Sequence, residues 1–301
     1  MNFAPTDAQP GNCINLRAMN AALVRLKDGY MIHSFRYIRP KSLEEVIDLL
    51  SDSRNRGCVF SGGTDLFVDI RDGLEKPDFV VDLKSIESLH HISFDKREGL
   101  SFGACVTVNG LIGNAEVQKH YAILVTAGKE LATHQIRNRA SVVGNLVTAS
   151  PCGDMASPLL CLDAELVILS KDGSKNIRLS DFTTGVKNTI LRPGEIVEKI
   201  LVPTSMIDAT GGYKKLKRIR GHDLGVVSVA MLKRNDILRF AISSAAPTPV
   251  LLSDFSTDTS LETIQTAAQK AISPIDDVRC SREYRAFMVN TFIERLMEEA
   301  G

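Results

Sequence analysis

From Met31 onward the spacing of apolar residues divides the chain into readable elements. "MIHSFRYIRPKSLEEVIDLL" predicts a short strand, a proline, a serine cap and an amphipathic helix. Ser42 precedes Glu45 at capping-box spacing, and Leu43, Val46, Ile47 and Leu50 share one face. "CVFSGGTDLFVDIRDG" is a brief apolar strand that runs into Gly-Gly-Thr-Asp and then a second apolar segment. "FVVDLKSI" and "LSFGACVTVNGLI" are strand-like in β-branched content, the latter entering a helix through Val108 and Asn109. "AILVTAGKELATHQIRNRA" reads as helix up to about Ala132. "AELVILSKDGSKNIRLSDF" is a hairpin turning at Lys-Asp-Gly, and "EIVEKILVP" is a strand ended by Pro203. The last unit changes character: strands "YKKLKRI", "GVVSVAML" and "ILRFAISSA" come first, then helices "SLETIQTAAQKAI" and "REYRAFMVNTFIERLMEEA". That switch predicts a boundary near residue 207. Residues 1–32 show little periodicity and are expected to be an extension, flexible or added by an upstream start.

Composition narrows the function classes. A chain of 301 residues with 44% apolar content can bury a substantial core in two or three domains. Lys plus Arg and Asp plus Glu both total 36, so no net field recruits nucleic acid or an anionic membrane surface. No apolar run approaches the roughly 20 residues of a spanning helix. The N-terminus lacks the pattern of a secretory signal, which gives a cytoplasmic address as the expectation. The six cysteines are scattered without a C-x-x-C pair and the histidines without H-x-x-x-H, so no bound metal is expected.

Three stretches carry candidate chemistry. In "SGGTD" two glycines end a strand: this is either a turn, or a concavity of successive backbone N–H groups that an anion such as pyrophosphate can approach. No G-x-G-x-x-G opens a helix, so a Rossmann site has no support. "SVVGNLVTASPCGDMASPLL" offers Ser141, Gly144, Asn145, Thr148 and Ser150 as small hydrogen-bonding positions beside a lone carboxylate. That carboxylate, Asp154, is either a ligand acceptor or a helix cap. The cations of "YKKLKRIRGHD" are either a solvated strand face or include one or two that reach a phosphate or flavin oxygen.

Together, "FSGGTDL", "FGACVTVNGL", "IRNRASVVGNLVTASPCGDMASPLLCLDAELVI", "EIVEKILVP", "RGHDLGVVSVAM", "APTPV" and "IDDVRCSREYRAFMV" resemble, in order and spacing, the FAD-binding subunit of molybdenum hydroxylases over roughly residues 33–298. That family includes the medium subunits of carbon monoxide dehydrogenase and bacterial xanthine dehydrogenase. The resemblance implies an α+β fold. A vanillyl-alcohol-oxidase-type (PCMH-like) FAD-binding domain of two subdomains would span 33–206, and a C-terminal domain with a three-stranded antiparallel sheet and helices would span 207–301. It also implies FAD as cofactor, bound noncovalently. Val59, Phe60, Ser61, Gly62, Gly63, Thr64, Asp65 and Leu66 would wrap the pyrophosphate, and Ser141, Val142, Val143, Gly144 and Asn145 would form a second loop. Asp154 would contact FAD, Val197 would flank the isoalloxazine, and Lys214 would be a basic group near it. Leu131 stands where animal xanthine oxidases place an aromatic against the flavin, and the cysteine-bearing insertion of relatives with an extra iron–sulfur cluster is missing. The implied partners are a large molybdopterin-binding subunit, a small 2Fe-2S subunit and NAD or another electron acceptor. No acid–base catalyst is expected in this chain.

Overall fold

The computed structural model describes residues 33–300 except 53, 220 and 222; the expected extension, 1–32, lies outside the described residues. The first unit comprises β1 (Arg36–Ile38), α1 (Leu43–Leu50), β2 (Gly57–Phe60), α2 (Leu66–Arg71) and β3 (Phe79–Asp82). Its three strands are all parallel in the order β1-β3-β2. A central parallel strand is covered on both faces, and β3, "FVVD", is buried at every position. Ser42 caps α1 by accepting the Glu45 N–H at 3.2 Å. The Glu45 carboxylate reaches back one residue further than a standard box, to the Lys41 N–H at 2.8 Å.

The second unit begins with β4 (Ile92–Asp95) and β5 (Gly99–Gly103). Seven helical segments then follow: α3 (Val108–Gly113), α4 (Ala115–His120), α5 (Ala122–Glu130), α6 (His134–Arg137), α7 (Val142–Val147), α8 (Ala156–Cys161) and, beyond β6 (Glu165–Ser170) and β7 (Gly173–Arg178), α9 (Leu179–Phe182). The small pair β8 (Thr183–Gly185) and β9 (Asn188–Thr189) precedes β10 (Ile196–Val202). β10 inserts between the two hairpins, so the sheet order is β4-β5-β10-β6-β7, antiparallel throughout. The helix read through Ala132 ends at Glu130. There the Arg137 guanidinium gathers the carbonyls of Lys129, Leu131 and Ala132, and Ala132 takes a φ of 43°. The cation satisfies carbonyls that the end of a helix leaves without an intrahelical donor.

The third unit holds β11 (Thr210–Leu216), β12 (Val227–Arg234), β13 (Ile237–Ser243), the two-residue strands β14 (Val250–Leu251) and β15 (Phe255–Ser256), α10 (Leu261–Ala271) and α11 (Arg282–Ala300). Three long antiparallel strands form its sheet, and β14 and β15 both pair with β13, extending the three-stranded sheet read from the sequence. On one face Val227, Val229, Met231 and Phe240 pack with α10 and α11. On the other, Tyr213, Ala230, Leu232 and Ala241 belong to the same core as α5 and α8. Burial on both faces explains why "GVVSVAML" is a continuous apolar run and not an alternating one. Among the described residues no helix is long and apolar enough to cross a membrane.

A charged knot fastens α11 to this sheet. Arg285, only 2% exposed, donates to the carbonyls of Val226 at 2.5 Å and Ser244 at 2.9 Å and to Asp277 at 2.7 Å. Burial alone would raise the Asp277 carboxyl. Hydrogen bonds from the Arg279 backbone and side chain and from Arg285 outweigh it and hold the group at about 2. A carboxyl depressed below its unfolded value of about 4 contributes stability above that pH and loses it as pH falls through the folded value. The stability difference between the parent and Asp277→Asn, measured by urea unfolding, is therefore expected to be larger at pH 6 than at pH 3. A difference that stays constant over that range would remove Asp277 from the knot.

Candidate functional site

The segment from Gly103 to Val108 organises the site through its backbone. Gly103 N–H donates to His91 O at 3.1 Å, Cys105 N–H to Leu89 O at 2.9 Å, and Ala104 N–H to Glu198 O at 2.9 Å in the β-bulge of β10. Ala104 O accepts from the Ser61 hydroxyl at 3.1 Å, which brings in the loop after β2. Val108 N–H donates to Ala140 O at 2.9 Å and Val142 N–H to Val106 O at 3.1 Å, with Thr107 and Ser141 bridged between them. The two glycine-bearing loops, far apart in sequence, are thus held on one short spine.

In the first loop the glycines serve the protein before they serve a ligand. A Cβ on Gly62 would fall on the Arg139 carbonyl, so the two loops can touch only because Gly62 is bare. Gly63 has a φ of 76°, and a Cβ there would strike the rings of Phe60 and Phe67. The sequence reading made these glycines room for an approaching anion; the structure fills their side-chain space with protein atoms. What remains for a ligand is the main chain. Among the described residues, the N–H groups of Gly62, Gly63, Thr64 and Asp65 have no protein acceptor. Such consecutive unpaired amides, partly exposed and leading into a helix, suit a phosphate. Val59 is exposed, Phe60 is buried beneath the loop, and Leu66 opens α2.

The second loop is the start of α7. Ser141 is its N-cap, its hydroxyl accepting the Gly144 N–H at 3.1 Å, while Val142 and Val143 are buried and Gly144 and Asn145 are partly exposed. The Asn145 side-chain oxygen accepts the Met155 N–H at 3.2 Å and so fixes the turn that carries Asp154.

Asp154 is neither cap nor open carboxylate. It is 6% exposed, accepts from the Tyr213 hydroxyl at 2.8 Å, and pairs with the Lys215 ammonium at 2.8 Å. Lys215 also donates to Glu130 O at 3.1 Å, next to Leu131, which is 6% exposed in the same core. Burial raises the Asp154 carboxyl against the pull of Lys215 and Tyr213, and burial beside Asp154 pushes the Tyr213 phenol well up, so the phenol keeps its proton and donates. Helix α8 begins after Met155 with no side-chain cap.

Of the remaining expected positions, Val197 is 4% exposed and starts the β10 bulge. The structure does not bring Lys214 to the Asp154 cluster. Strand alternation turns it to the other face of β11, where it pairs with Glu299 of α11. Tyr213, Lys215 and Lys217 share the site-side face, Lys217 pairing with Glu130 at 2.7 Å. Sequence reasoning missed Tyr213, and it named Lys215 only as one of the cations of "YKKLKRIRGHD" without setting it apart from Lys214. The period of two along "YKKLK" was the signal, once one face is known to meet Asp154.

Residues 33–205 match the family described as the FAD binding domain in molybdopterin dehydrogenase. The chain is 28% identical over 281 residues to the nicotine 6-hydroxylase medium subunit of Paenarthrobacter nicotinovorans, covering 89% of this chain and 98% of that one. It is 27% identical over 278 residues to the xanthine dehydrogenase FAD-binding subunit of Escherichia coli O157:H7, covering 88% and 95%. A chain in the crystal structure of a Cu,Mo-CO dehydrogenase superposes with a TM-score of 0.82 at 26% identity, covering 89% of this chain and 98% of that one. With loops, spine and sequence match in agreement, the chain belongs to the FAD-binding family of molybdopterin dehydrogenases: it is an α+β, FAD-binding subunit of the molybdenum hydroxylase class.

Proposed function

We propose that this subunit passes electrons from iron–sulfur centres of a small 2Fe-2S partner to NAD or another acceptor, for a large molybdopterin-binding partner that hydroxylates xanthine or a related N-heterocycle. The single observation that carries the cofactor part is the run of unpaired amides at Gly62 to Asp65 beside the second loop. Bound FAD supplies the redox chemistry. The chain's own residues bind and orient: Val59 to Leu66 hold the pyrophosphate, Ser141 to Asn145 form the second wall, and Leu131 and Val197, almost wholly buried, would back the flavin from the core. Asp154 fixes the second loop to the C-terminal sheet and has oxygen lone pairs beyond those spent on Tyr213 and Lys215. The assignment of Lys214 as the flavin's cation passes to Lys215, whose ammonium lies on the site side of β11. The N-heterocycle reading draws support from the nicotine and xanthine relatives, whereas the carbon monoxide dehydrogenase likeness supports another substrate for the same subunit role. Nicotinate or an aromatic thioester would fit this subunit equally, since the substrate pocket belongs to another chain. A flavin-binding assembly protein without redox partners is the reading of a different class. Affinity purification of the tagged chain from its native cells decides between them: molybdenum and iron should co-purify in fixed ratio with it, and a flavoprotein free of both metals would defeat the electron-transfer reading.

The purified chain should release its yellow chromophore on acid precipitation, with FAD in the supernatant; colour retained in the pellet, or release of FMN alone, would contradict the noncovalent FAD site. Gly62→Ala should push the two loops apart and misplace at least one phosphate-binding amide. A hydrogen bond to a charged group is worth about 1.5–3 kcal/mol, so the dissociation constant should rise roughly tenfold to a hundredfold. Unchanged affinity in FAD titration of the folded variant would take Gly62 out of the site.

Asp154→Ala leaves the Lys215 ammonium buried without its counter-charge, a loss of about 3–5 kcal/mol in apo-protein stability. Asp154→Leu combined with Lys215→Met should recover most of it. Urea unfolding of the apo-proteins reads both numbers; a single variant as stable as the parent would show that the pair is not the pin described here.

A further inference from the structure

Lys84 lies outside both loops, in the short turn Leu83–Ser85 directly after β3. Its ammonium donates to the Ser61 carbonyl at 3.1 Å and to Asp82 Oδ1 at 2.5 Å, and sits 3.2 Å from the centroid of the Phe60 ring. Asp82 is 2% exposed; it accepts the Lys84 backbone N–H at 3.0 Å, and its second oxygen accepts the Tyr37 hydroxyl. Burial would raise the Asp82 carboxyl, but Lys84 and Tyr37 together bring it below its ordinary value, so it stays charged and anchors the ammonium. With carboxylate, carbonyl and aromatic face around it, the ammonium has a partner on every side its three donors can use.

The carbonyl it holds belongs to the peptide unit that supplies the first of the unpaired amides. In a trans peptide the C=O and N–H point in opposite directions, so fixing the Ser61 carbonyl on Lys84 fixes the Gly62 N–H on the far side. The same unit is braced twice more, by the Ser61 hydroxyl on Ala104 O at 3.1 Å and by Gly62 against the Arg139 carbonyl. Those two contacts set the position of the unit. Among the described residues Lys84 is the one donor to the Ser61 carbonyl and so fixes the unit's rotation; a rotated unit would turn that carbonyl, a repulsive acceptor, toward a bound phosphate.

We propose that Lys84 is a positioning residue for the cofactor, holding the Ser61–Gly62 peptide so that its N–H serves the phosphate-binding concavity. The proposal rests on the reading of Val59 to Leu66 as the pyrophosphate loop. It places the recognition of an anion under the control of a lysine that does not itself belong to either loop.

The test compares apo-protein binding of FAD with that of riboflavin, which lacks the pyrophosphate, for the parent, Lys84→Gln, Lys84→Arg, and Lys84→Gln combined with Asp82→Asn. The double variant removes the pair together, so it keeps the fold if the unpaired Asp82 of the single variant does not. FAD affinity should fall about tenfold or more in the glutamine variants, the scale of one lost charge-assisted contact, while riboflavin affinity stays unchanged. Lys84→Arg should recover a substantial part of the FAD affinity. Equal losses for the two ligands would reduce Lys84 to a brace of the fold, and a double variant that kept the parent's preference for FAD would overturn the proposal while leaving the loop reading intact. A parent protein with no preference for FAD over riboflavin would instead overturn the loop reading itself.

Discussion

The site depends on one constraint: a backbone stretch of six residues, Gly103 to Val108, must serve four other segments at once. It meets the turn before β4 through His91 and Leu89, the β10 bulge through Glu198, the first loop through Ser61 and the second through Ala140 and Val142. Each of these bonds is ordinary, worth about 1 kcal/mol net. Their value lies in sharing, because none can shift without moving another. A Cβ on Gly103 would land on Leu89 O, so even the entry to the spine permits no side chain. The closeness of the two loops then follows, and Gly62 against Arg139 is its consequence.

The second constraint is electrostatic. A buried Asp154–Lys215 pair gains little over an apolar pair of the same size, because desolvating both charges costs about what their attraction returns. What the pair provides is position. Tyr213, Asp154, Lys215 and Glu130 tie the turn after the second loop to α5 and to the C-terminal sheet. Ser244 N–H on Pro151 O at 2.8 Å and Arg279 on Cys152 at 3.3 Å hold the same turn from the far side. The third unit is therefore part of the binding site's frame, although the family match ends at residue 205.

How much of this the sequence disclosed depends on whether the signal was local. The cap at Ser42, the hairpin at Lys171 to Gly173 and the stop at Pro203 were readable because short-range chemistry decides them. The two loops stood out by their small residues, but those left a turn and a ligand bed equally open, and the family resemblance supplied the assignment. The partners of those loops were not readable: which carbonyl meets Gly62, or which face of β11 meets Asp154, depends on contacts between residues tens of positions apart. Lys214 and Lys215 are chemically identical, and only the register of β11 against β12 separates them. The helix read to about Ala132 ends two residues earlier, at Glu130, where Arg137 takes the neighbouring carbonyls, a contact the local sequence does not announce.

Several charged side chains around the two loops are tied up in pairs. Asp154 is matched by Lys215, Asp82 by Lys84, Glu130 by Lys217. Paired charges contribute little net field at a distance, so what the first loop offers an anion is its backbone amides, set against the exposed Asp65 carboxylate at its end. Fixed dipoles have an advantage over mobile cations in this place: they require no reorganisation when a polyanion arrives, and they cannot be neutralised by a proton. Lys84 accordingly stands one step back, setting the orientation of the main chain that does the binding.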